Sequence, residues 1–176
     1  MLGEVLGAVA GTGLGESCYV VTSDLEALEV ARSWGMIPVR EGVDGGVNAA
    51  VRKGMRSTSE PELMVIPADL PLLSCSELEQ AAALKSEGAD VVISPSQALD
   101  GTNLLLFSRT AAVRLSYDVN SFWSHLEDAA KKDYSLAVYT GKGVIFDVDS
   151  ASDLRRLAGA NANTHSVAFA REALQQ

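Results

Sequence analysis

The segment Leu63-Met64-Val65-Ile66-Pro67-Ala68-Asp69-Leu70-Pro71-Leu72-Leu73 constrains the fold more than any other part of the chain. Its opening run of four apolar residues, with no polar alternation, predicts a strand covered on both faces, as in a sheet lying between helices. The proline-locked turn that follows delivers one carboxylate, Asp69, to the rim of that sheet. Ligands of open α/β sheets bind beyond the carboxyl ends of the strands, and an acid placed there suits a hard divalent cation. The alternative for Asp69 is a helix N-cap. Ser74-x-x-Glu77 offers a better cap five residues later, which frees Asp69 for other work.

Around this segment, strands and helices alternate from end to end. Strands are predicted over 19–22, 36–40, 63–66, 90–94, 104–107, 136–139 and 144–148. Helices are predicted over 23–34 (opened by a Ser23-x-x-Glu26 capping box and closed by Gly35), 47–56, 76–87, 121–132, from the Ser150-x-x-Asp153 cap onward, and over 164–174. This alternation implies a Rossmann-like, three-layer α/β/α arrangement around a mostly parallel sheet, in one domain spanning 1–176. The chain opens on Leu2-Gly3-Glu4-Val5-Leu6-Gly7-Ala8-Val9, an amphipathic helix with no strand before it. Doubly wound sheets usually begin with a central strand and a phosphate-gripping loop, so the expectation is a fold whose first strand and phosphate loop are missing. Gly11-Thr12-Gly13-Leu14-Gly15 follows the helix and reads as a turn, because a phosphate cradle needs a strand before it.

A net charge of −9 repels nucleic acid and anionic membranes on average and excludes both as bulk partners. No apolar run reaches the ~18 residues of a membrane span, and the N-terminus lacks the basic start of a signal peptide. Cys18 and Cys75 have no metal-ligand spacing and fit buried thiols in a reducing, cytoplasmic setting.

Three loops beyond Asp69 carry candidate chemistry. Asp44-Gly45-Gly46-Val47-Asn48 lies at the mouth of a helix, where Gly46 lets backbone approach a ligand and Asn48 offers a donor and an acceptor to a base or ribose. A plain turn explains it equally well. Ser94-Pro95-Ser96-Gln97-Ala98-Leu99-Asp100-Gly101-Thr102-Asn103 is either a functional loop, with Thr102 and Asn103 holding a phosphate or carboxylate, or a hairpin turn built on Asp100-Gly101. Val144-Ile145-Phe146-Asp147-Val148-Asp149 ends in two carboxylates one residue apart, which point to opposite faces of an extended chain. Asp149 is the first choice for the rim. Acids at the ends of two strands suit phosphoryl chemistry, which needs positioning and charge neutralisation more than a protein nucleophile. Ser121, at a helix start, suits an anion. His125 is either a packed structural residue or a phosphate contact.

Five motifs in this order, Gly46-Val47-Asn48-Ala49-Ala50, Pro67-Ala68-Asp69-Leu70-Pro71, Gly101-Thr102-Asn103, Ser121-Phe122-x-x-His125 and Asp147-Val148-Asp149-x-x-x-Asp153-Leu154, make the chain resemble the 2-phospho-L-lactate guanylyltransferases of coenzyme F-420 biosynthesis. That family has the nucleotide-diphospho-sugar transferase-like fold, similar to the molybdenum-cofactor guanylyltransferases. The resemblance implies transfer of GMP from GTP to a small phospho-acid (2-phospho-L-lactate, phosphoenolpyruvate or 3-phosphoglycerate) with release of pyrophosphate. It implies that Asp69 and Asp149, with Asp147, hold magnesium, and that Thr102, Ser121, Asn103 and His125 surround the phospho-acid. Gly46 and Asn48 would lie by the guanosine, and a homodimer is one expected assembly. The chain departs from the pattern at Asp100, where the family has glycine, and at Tyr117-Asp118-Val119-Asn120, where it has small residues. The alternatives are a nucleotidyltransferase for another acceptor, such as molybdopterin or a sugar phosphate, and a catalytically silent nucleotide-binding domain.

Overall fold

In the computed structural model, residues 1–14, 17–42 and 45–175 are described. The predicted positions of Gly15 and Asp44 lie outside them. The elements run α1 (Leu2–Ala10), β1 (Tyr19–Thr22), α2 (Leu25–Ser33), β2 (Ile37–Arg40), α3 (Val47–Ser57), β3 (Glu62–Val65), α4 (Cys75–Ser86), β4 (Val91–Pro95), β5 (Thr102–Ser108), α5 (Ser121–Lys131), β6 (Leu136–Val138), α6 (Ala151–Ala158) and α7 (His165–Ala173). The strands form a parallel β1-β2 pair and a four-stranded sheet in the order β3-β5-β4-β6. In the larger sheet β3, β4 and β6 run one way, and only β5 is reversed.

Helices cover the larger sheet on both sides. On β4 and β5 successive residues face opposite ways. Val92, Leu104 and Leu106 pack with Leu70, Leu73, Leu78 and Ala81 on the α4 side, where α1 adds Val5 and Ala8. Val91, Ile93, Leu105 and Phe107 pack with Phe122 on the α5 side. The expectation of complete burial for the strand before Asp69 needs correction. β3 is an edge strand and only half buried, whereas β4 and β5, in the middle of the sheet, are the covered pair. α6 and α7 form a separate apolar cluster through Leu157, Val167 and Ala170.

Two local expectations change. Asp24, not Ser23, caps α2, its carboxylate accepting from Glu26 N–H at 2.8 Å and Ala27 N–H at 3.2 Å. The predicted strand over 144–148 is a turn followed by irregular chain. Ile145 and Phe146 donate back to the carbonyls of Gly141 and Gly143, so their N–H groups are unavailable to a ladder. The caps at Ser74 and Ser150 are present with their Glu77 and Asp153 partners. Among the described residues, no helix is long and apolar enough to cross a membrane.

Candidate active site

Asp69 lies just past β3, in chain that returns towards α4. One of its carboxylate oxygens, Oδ1, is buried with no hydrogen-bond partner among the described residues. Burial, reinforced by the charges of Asp149 and Asp147, raises the Asp69 pKa above the usual carboxylate range. Asp149 is raised as well, by burial and then by Asp147, Asp153 and Asp100. The charges of Asp147 and Asp149 are thus felt at Asp69, and that of Asp147 at Asp149. A buried, unpartnered carboxylate oxygen opposed by two like charges is the electrostatic setting that a cation relieves. Among the described residues no three His, Cys, Asp or Glu side chains are gathered tightly enough to hold an ion as they stand.

The 143–149 segment carrying two of these acids is fastened at three points. Glu77, read from the sequence only as a cap, uses Oε2 for the Ser74 N–H and Oε1 for the N–H groups of Gly143 (2.7 Å) and Val144 (3.3 Å). Asn103 Nδ2 donates to Val144 O at 3.0 Å. Val148 N–H donates to Asp69 O at 3.2 Å, which joins the two acidic stretches directly. Gly143 is required here, because a Cβ would overlap the Leu72 carbonyl; at Gly141 a Cβ would push the Glu77 carboxylate out of the clamp. The Gly141-x-Gly143 pair is the sequence signal for this clamp.

β4 and β5 are joined as a hairpin, but its loop is 97–100, with Leu99 N–H donating to Ser96 O and Gly101 already paired with Ser96, so the turn is not built on Asp100-Gly101 as expected. Ser96 N–H donates to Gly101 O, and Ser96 Oγ donates to Asp100 Oδ1 at 2.8 Å. The pairing then slips: Leu104 lies opposite Ser94 but Thr102 lies opposite Pro95, leaving Asn103 as a bulge. A bulge re-aims side chains. Regular alternation would put Thr102 on the α4 face with Leu104. The bulge instead turns Thr102 to His125 and Ser121 on the α5 face, and sends Asn103 to Val144 on the α4 face.

Thr102, Ser121 and His125 are all buried and in contact. Thr102 Oγ1 lies 3.0 Å from His125 Nδ1 and 3.1 Å from Ser121 Oγ. Burial pushes the His125 pKa down to about 4, so the ring is neutral at pH 7. Its Nε2 accepts from Ser116 N–H at 3.1 Å. Asp128, one turn later on α5, accepts from Arg114 N–H, so α5 holds the loop before it at both points. Asn48 holds the same loop from α3: its Oδ1 accepts from Tyr117 N–H and its Nδ2 donates to Asp118. Gly46 begins α3 with φ 75°, a conformation suited to glycine. The Tyr117 ring stands edge-on to His125 at 5.0 Å, and its buried hydroxyl has no partner among the described residues.

The chain matches the family described as "Guanylyl transferase CofC like" over residues 1–174. A relative named phosphoenolpyruvate guanylyltransferase, from Rubrobacter xylanophilus, is 38% identical, over 89% of this chain and 77% of its own length. A 2-phospho-L-lactate guanylyltransferase of Methanocaldococcus infernus is 30% identical, over 88% of this chain and 68% of its own. Among solved structures, a 4-diphosphocytidyl-2C-methyl-D-erythritol synthase from Anaerococcus prevotii superposes with a TM-score of 0.66 at 12% identity, covering 99% of this chain and 86% of that one. That likeness concerns the fold alone. The family match over nearly the whole length and the 38% identity to one of its named relatives agree: this chain belongs to the CofC-like guanylyltransferases.

Proposed function

We propose that this chain transfers GMP from GTP to a small phospho-acid in coenzyme F-420 biosynthesis. A phosphate oxygen of the acid bonds to the α-phosphorus of GTP, and the bond from that phosphorus to the pyrophosphate oxygen breaks. Phosphoenolpyruvate is the acceptor of first choice, since the relative named for it is 38% identical against 30% for one named for 2-phospho-L-lactate.

The observation that carries this reading is the pairing of two unlike groups through Asn103: a mutually repelling set of carboxylates, and a buried hydroxyl pair formed by Thr102 of β5 and Ser121 at the start of α5. Asp69, Asp147 and Asp149 would hold a divalent cation, magnesium by expectation. When bound, that ion neutralises and orients the triphosphate. Thr102 and Ser121 hold the phospho-acid, with the positive end of α5 adding to the attraction. Asn48, which among the described residues keeps one amide hydrogen beyond its bond to Asp118, would lie with Gly46 by the guanosine.

Pyrophosphate release from GTP and magnesium tests this, with phosphoenolpyruvate, 2-phospho-L-lactate and 3-phosphoglycerate offered separately. Turnover with phosphoenolpyruvate is expected. Release with either other acid alone reassigns the acceptor, and none with any of the three, from folded protein, sinks the reading.

A further inference from the structure

The buried row His125 Nδ1, Thr102 Oγ1, Ser121 Oγ can be counted hydrogen by hydrogen. Ser116 N–H is a donor only, so the Nε2 that meets it at 3.1 Å carries a lone pair. The single hydrogen of the neutral ring is then on Nδ1 and is donated to Thr102 Oγ1 at 3.0 Å. Thr102 and Ser121 bring two hydroxyl hydrogens. One closes the 3.1 Å contact between them, and neither hydroxyl makes a further bond among the described residues. One hydroxyl hydrogen is left over.

The opposite tautomer would reverse the result. Nδ1 would take the Thr102 hydrogen, Thr102 would take that of Ser121, and the pair would present only lone pairs. An anion would be repelled where it is now attracted.

We infer that the Ser116 N–H, by fixing the tautomer of His125, keeps one hydroxyl hydrogen of the Thr102–Ser121 pair available to an anionic substrate, and that His125 is therefore a positioning residue for the phospho-acid. This rests on the placement of the phospho-acid at Thr102 and Ser121. Burial favours the neutral ring that the count requires. The contribution is directional: His125 need not touch the substrate, because its N–H sets the orientation of the hydroxyl that does.

Long-range proton–nitrogen NMR of the wild-type protein at pH 7 reads the tautomer directly, and Nδ1–H is expected. Replacing the Leu115–Ser116 amide with an ester deletes the N–H and leaves every side chain in place. The ring signal should then move to Nε2–H, and KM for phosphoenolpyruvate should rise about tenfold or more, with kcat changed less than about threefold, as for loss of one hydrogen bond to a charged ligand. His125→Gln offers Oε1 and Nε2 in place of the ring nitrogens and should hold KM within about threefold of wild type. An Nε2–H signal in the wild type, or an ester form with unchanged KM, overturns the inference while guanylyl transfer stands. A folded wild-type chain that turns over none of the three phospho-acids is a separate failure: it removes the functional reading and this inference with it.

Discussion

The acidic rim and the hydroxyl pocket are fastened to the same bulge, yet they are built on opposite plans. At the rim, Asp69, Asp147 and Asp149 repel one another, and Asp69 keeps a buried oxygen with no partner among the described residues. In the pocket, His125, Thr102 and Ser121 are neutral and bonded to one another in a chain. The first group sets like charge beside like charge; the second is neutral and keeps one hydroxyl hydrogen beyond its own bonds. The rim should thus respond to metal and pH, and the pocket to the loss of single donors.

The strongest way to break this contrast is Asp69→Asn. Guanylyl transfer should fall by at least about 10²-fold, since charge stabilisation at a metal is worth several kcal/mol. The metal-free fold should gain stability. A carboxylate with a raised folded-state pKa binds more protons folded than unfolded, so the wild type loses stability as pH rises through that value. The variant should lose that slope, and magnesium should raise Tm in the wild type only. Next in size is Gly143→Ala. The added methyl meets the Leu72 carbonyl, and overpacking costs about 1–3 kcal/mol. Activity should fall with it because Asp147 and Asp149 shift, while the hydroxyl pocket should still bind phospho-acid.

Thr102→Val acts on the pocket alone: KM for the phospho-acid should rise about tenfold with the magnesium response of Tm intact. Asp100→Gly sharpens the comparison from the other side. This exposed carboxylate adds to the charge felt by Asp149, and removing it should lower the phospho-acid KM by no more than about fivefold, the scale of exposed charge interactions. A raised KM would count against it. Tyr117→Phe is the smallest change. Deleting a buried hydroxyl without a partner should leave stability unchanged or increase it by about 1 kcal/mol. A loss of phospho-acid affinity would show that this hydroxyl serves the substrate.

Most elements were legible because local chemistry specified them: unbroken apolar runs at β4 and β5, and the caps Ser74-x-x-Glu77 and Ser150-x-x-Asp153. The segment 144–148 was misread as a strand because its apolar residues pack as turn and coil, fixed by Glu77 and Asn103 from elsewhere in the chain. Depth in the sheet was misjudged at β3 for a related reason: an apolar run shows that a strand has partners, not whether it lies at an edge. For the site, residue types pointed to an acidic rim and an anion pocket, but the bulge at Asn103 decides which face Thr102 meets, and nothing in the local pattern announces it. Asn48 shows the same limit, since its bonds to Tyr117 and Asp118 depend on residues about seventy positions away.

The Glu77 clamp also has a kinetic consequence. The amides of Gly143 and Val144 belong to no helix or strand, and by sequence position they would exchange with solvent as loop amides do. Their acceptor, however, is a carboxylate that also closes the first turn of α4. Their protection should follow the opening of that helix, so in native-state hydrogen exchange these loop hydrogens should be lost together with those at the start of α4.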